Sequence, residues 1–78
     1  MENTIENRRD FARIVIAGLS TYAGTEQTTR DLRTWFQALR ELSLTDLAIG
    51  LLAHVGNPNN RQRPPTPADV LQNARRAV

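Results

Sequence analysis

From Phe11 to Ala74 the apolar side chains of this 78-residue chain recur at intervals of three and four, and no stretch shows the alternation of a half-buried strand. That is the period of a helix with one buried face. Phe11, Ile14, Val15, Gly18, Leu19 and Tyr22 form the stripe of a first helix, with Asn3 and Glu6 spaced as a capping box before it and Gly24 as its stop. Thr28, with Asp31 three residues on, opens a second helix whose stripe is Leu32, Trp35, Phe36, Leu39 and Leu42. After the break at Ser43-Leu44-Thr45, Thr45 is set to cap a third helix, with Leu44 and Ile49 as its hydrophobic staple. That helix, Asp46 to about Val55, is apolar around most of its circumference, which predicts a buried, central element ended by Gly56. The expected fold is all-α: a compact bundle of four short helices, or five, around an apolar third helix. It forms one domain over 1–78, alone or as the N-terminal domain of a longer protein.

The best-specified segment is Arg61-Gln62-Arg63-Pro64-Pro65-Thr66-Pro67-Ala68-Asp69. It reads as a stiff basic loop running into a helix start. Thr66 can cap with its hydroxyl, and Pro67 suits the first helical position because its missing N–H would be unpaired there anyway. Asp69, at the third position, can reach back to the cap and favours the positive end of the helix dipole. Val70, Leu71 and Ala74 then face inward. As a connector the loop limits the freedom of the unfolded chain; as an exposed ridge it offers Arg61 and Arg63 to a partner.

Catalytic chemistry finds little to work with. There is no cysteine and one histidine, His54, so a zinc site would need mostly carboxylates. His54, near the end of an apolar helix, reads as structural. No glycine-rich phosphate loop is present. Ser20 and Ser43 have no neighbouring base, and several acids fall in first turns where capping explains them. No metal, cofactor or catalytic residue is therefore expected. The longest nearly apolar run, Leu44 to Val55, is too short to span a bilayer and contains Asp46. With no signal peptide, the chain reads as a soluble cytoplasmic protein with no membrane partner.

A chain this short buries only about 60–65% of its unfolded surface, and without cysteine no disulfide reinforces the core. All ten basic residues are arginine. Residues 1–50 carry six of them against seven acids, whereas residues 51–78 carry four against one acid. On the second helix Arg30, Arg33, Gln37 and Arg40 recur at three, four and three. That face reads first as a solvated exterior opposite Trp35 and Phe36, and otherwise as a protein-binding or phosphate-contacting surface. A helix-turn-helix reading fails on the third helix, where Asp46-Leu47-Ala48-Ile49-Gly50-Leu51-Leu52 offers no base-reading side chain. Direct nucleic-acid binding is expected to be weak or absent.

The order of an apolar first helix, Trp35 with Leu39, an apolar third helix and then Arg63-Pro64-Pro65-Thr66-Pro67-Ala68-Asp69-Val70 resembles the small helical domain of bacteriophage replicative-helicase loaders and inhibitors. A looser similarity extends to the replication protein P family of lambdoid phages. Those sequences pair a helix bearing a Trp and a downstream Leu with a later Pro-Pro-Thr-x-Ala-Asp-Ile/Val helix start. Trp35, Leu39, Pro64, Pro65, Thr66, Pro67 and Asp69 match as fold-defining positions, and the likeness covers roughly residues 10–76.

The resemblance implies a non-enzymatic DNA replication factor of the host bacterial cytoplasm. It would bind a DnaB-type helicase, modulate its loading or activity, and in some relatives contact the phage origin-binding initiator. Family members continue into a flexible tail that contributes to helicase contact, so this chain reads as a truncated domain or as a minimal relative using its folded surface. Arg30, Arg33, Arg40, Arg61 and Arg63 are the candidate protein-binding residues. The alternatives are a phage or prophage regulator that binds another host protein, or a weak DNA-binding regulator.

Overall fold

A computed structural model describes residues 1–76 and is all-helical over that range. The α-helices are α1 (Ile5–Leu19), α2 (Thr29–Leu39), α3 (Leu44–Val55) and α4 (Pro67–Arg76), with a single 3₁₀ turn at Pro58–Asn60 between the last two. The radius of gyration is 11.6 Å, close to the value of about 11.5 Å for a folded chain of this length. No helix among the described residues is long and apolar enough to cross a membrane.

Each start is set by a side chain that satisfies an otherwise orphaned backbone N–H. α2 begins as its spacing predicts: the Asp31 amide donates to the Thr28 hydroxyl (3.1 Å), and the Thr28 amide donates to the Asp31 carboxylate (3.0 Å). Two other starts differ from expectation by one or two residues. Thr4, not Asn3, caps α1 and accepts from the Asn7 amide (3.1 Å). In that register the Asn7 carboxamide also donates to the Glu2 carbonyl (2.9 Å), a bond that the acceptor-only Glu6 carboxylate could not make. Ser43, not Thr45, caps α3, accepting from the Asp46 amide (3.1 Å). This register puts Leu42 and Leu47, both in the core, at the two staple positions that Leu44 and Ile49 were expected to fill.

α1 also stops earlier than Gly24. After Leu19 the Thr25 hydroxyl lies 2.7 Å from the Leu19 carbonyl and 2.8 Å from that of Tyr22, satisfying the helix end locally. Gly24 serves the following turn, where its φ of 73° is left-handed.

The core collects Phe11, Val15 and Leu19 from α1, Trp35, Phe36 and Leu39 from α2, Leu47 and Leu51 from α3, Val70 and Ala74 from α4, and Leu42 between α2 and α3. Phe11 and Phe36 meet edge to face, with ring centroids 5.2 Å apart and planes at 78°, a favoured aromatic geometry. α3 packs on α1 and α4, yet it is not enclosed. Ile49 and Leu52 are 40% and 69% exposed. An apolar circumference predicted burial all round, but a four-helix chain supplies neighbours for only part of it.

At the α3–α4 crossing the approach is close. A Cβ built on Gly50 would lie 2.5 Å from the Val70 carbonyl oxygen, and the Asn73 carboxamide donates to the Gly50 carbonyl (3.3 Å). Glycine is required there by space and not by backbone conformation.

Candidate functional site: an arginine-rimmed groove between α1 and α2

The first turns of α1 and the length of α2 enclose a groove of about 460 Å³. α1 contributes Ile5, Arg8, Arg9 and Ala12, spaced three, one and three apart, which is one stripe of a helix. α2 contributes Thr29, Leu32, Arg33, Phe36, Gln37 and Arg40, again one stripe. Phe11 and Phe36 form the floor with Ala12 and Leu32, while Ile5 stands at one end, 64% exposed. The rim carries Arg8, Arg9, Arg33 and Arg40, and no Asp or Glu lines the groove.

None of those four arginines forms an ion pair among the described residues. Among the described residues the ion pair is Arg75–Glu41 (3.2 Å), with both side chains well exposed, which contributes little to stability. Asp31 is engaged by its own cap: the Thr28 backbone N–H, then the Thr28 hydroxyl, hold its carboxyl below the ordinary value. The groove is thus an apolar trough inside a positive fringe, with no carboxylate among its lining residues.

The expected binding residues are divided among different places. Arg33 and Arg40 line the groove, whereas Arg30, on the same helix, lies outside it and lowers the pKa of Asp31 through its charge. Arg61 and Arg63 are exposed on the α3–α4 loop and do not line the groove. Arg8 and Arg9 were not singled out from the sequence. Their signal is the Ile5, Arg8, Arg9, Ala12 spacing, a second stripe on α1 beside the core stripe of Phe11 and Val15.

The fold-defining positions behave as packing and capping residues. Trp35 and Leu39 are buried. Thr66 and Asp69 form the expected box: the Thr66 amide donates to the Asp69 carboxylate (3.1 Å), the Asp69 amide donates to the Thr66 hydroxyl (3.3 Å), and hydroxyl and carboxylate are 3.0 Å apart. The Thr66 backbone N–H is the main cause holding the Asp69 carboxyl below its usual range, outweighing partial burial, with help from the Thr66 hydroxyl and the charges of His54 and Arg63. Pro67 opens α4; Pro64 is exposed and Pro65 buried.

The loop before α4 is tethered as well as stiff. His54 is buried, and its Nε2 lies 2.7 Å from the Arg63 carbonyl oxygen. The Asn60 carboxamide donates to the His54 carbonyl (3.1 Å), and the Arg63 amide donates to the Asn60 carbonyl (3.1 Å). His54 is therefore structural, joining the end of α3 to the approach to α4. No group of three His, Cys, Asp or Glu among the described residues is placed to hold a metal ion.

Fold and site together define a small all-helical protein bearing a basic, apolar-floored groove between α1 and α2. No family profile matches the chain, and comparison with curated proteins and with solved structures gives no match.

Proposed function

We propose that this chain is a non-enzymatic protein-binding adaptor whose partner is a DnaB-type replicative helicase. The carrying observation is the groove between α1 and α2, where four arginines that form no ion pair among the described residues surround an apolar floor. Such a surface suits protein recognition, because the floor rewards burial of apolar side chains while the rim selects for charge. The helicase as partner rests on the resemblance carried by Trp35, Leu39 and the Pro64-Pro65-Thr66-Pro67-Ala68-Asp69 helix start. Its action would be steric or conformational, through occupation of a subunit surface that biases ring opening or unwinding.

The test is size-exclusion chromatography of the purified chain with a hexameric DnaB-type helicase from host and from phage. Co-elution with at least one of them is expected. Elution as two separate species in both mixtures would remove the helicase assignment.

A further inference from the structure

We infer that the α1–α2 groove receives an acidic amphipathic α-helix of a partner protein. The inference rests on reading the chain as a protein-binding module and names the element that would dock. The fold presents no strand edge among the described residues, so an extended peptide has nothing to extend by strand addition. A trough between two helices instead matches recognition of a helix lying in a groove.

Length agrees with that occupant. Thr29 to Arg40 is about 17 Å of helix at about 1.5 Å per residue, enough to contact about three turns of a third helix. Apolar residues at i, i+3, i+4 and i+7 of the incoming helix would lie on Ile5, Ala12 and Leu32. Its flanking carboxylates would meet Arg8 and Arg9 on one side and Arg33 and Arg40 on the other.

Charge complementarity decides the sign. Four guanidinium groups and no carboxylate line the groove, and the planar guanidinium fork accommodates a carboxylate through two hydrogen bonds. Nucleic acid would satisfy the same charges but would leave the apolar floor and the exposed Ile5 without a counterpart.

The experiment titrates the intact chain into a labelled helical peptide of about 18 residues, long enough to hold helix by itself. The peptide has Leu at i, i+3, i+4 and i+7 spacing and Glu on both flanks; anisotropy is read at low and high salt. Two comparison peptides carry Lys in place of Glu, or the same residues in scrambled order. The acidic peptide is expected to bind at least about tenfold tighter than either, and to weaken as salt screens the rim. Combined Arg8→Glu and Arg33→Glu substitution should remove that preference, with circular dichroism showing an intact fold. Combined Arg61→Glu and Arg63→Glu, on the loop, should retain it.

Equal binding of the Lys peptide, full binding by the Arg8→Glu/Arg33→Glu chain, or displacement of the peptide by equimolar random duplex DNA overturns the inference. The helicase result is read separately. Peptide binding without helicase co-elution would leave the groove assigned and the named partner wrong, whereas helicase co-elution that survives both groove substitutions would do the reverse.

Discussion

α3 meets α4 with backbone against backbone, whereas α1 meets α2 across a trough. At the first crossing Gly50 lies under the Val70 carbonyl and Asn73 bonds across to the Gly50 carbonyl, leaving no space for a methyl group. At the second, the deeper residues Phe11 and Phe36 meet edge to face, and toward solvent the two helices leave Ala12 and Leu32 as a partly covered floor. One interface is closed and builds the fold. The other is closed at its base and open at its rim, and no carboxylate lines that rim. A small helical chain thus concentrates its packing precision on one helix pair and leaves the other free to bind.

Four substitutions or conditions would break or sharpen this contrast. Gly50→Ala is the most damaging: the added Cβ forces α3 and α4 apart, and urea unfolding followed by circular dichroism should show a loss of about 1–3 kcal/mol. An unchanged midpoint would mean that the crossing is looser than its geometry indicates. Thr66→Ala removes the cap of α4 and should cost about 1 kcal/mol in the same measurement.

Acid follows as a smaller effect. The carboxyls of Asp31 and Asp69 are both lowered by their capping bonds, so their contribution is fully present above the ordinary Asp value of about 4 and is lost as pH falls through the lowered folded values. Unfolding curves below that pH should show declining stability, with a shallower decline in Thr66→Ala. The smallest effect is expected at the open interface. Ala12→Leu adds more volume than Gly50→Ala but extends into the groove, so stability should change by no more than about 0.5 kcal/mol. A loss as large as that of Gly50→Ala would show that the groove is not an open space.

Much of the fold was legible because its determinants are local. The Thr28–Asp31 and Thr66–Asp69 boxes each need only residues three apart, and both form where their spacing places them. Where several capping side chains crowd together, local chemistry does not choose between them. Asn3 competes with Thr4, and Ser43 with Thr45. At α3 the placement of Leu42 and Leu47 in the core accompanies the register adopted.

The exposure of Ile49 and Leu52 was not legible for a related reason: apolar content reports what a helix could bury, not how many neighbours it will have. The candidate site was half legible. Arg33 and Arg40 share a visible stripe on α2, but Arg8 and Arg9 acquire their meaning only when α1 is laid beside it. Arg30, Arg61 and Arg63 share the chemistry without sharing the place.

The His54 contact with the Arg63 carbonyl limits how far the loop can swing away from α3. A carbonyl oxygen only accepts, so Nε2 must carry a proton and the ring acts as the donor. An apolar side chain in this buried position could fill the space but could not hold the carbonyl. The loop bearing Arg61 and Arg63 is thus leashed to the end of α3 by the His54 ring and the Asn60 carboxamide.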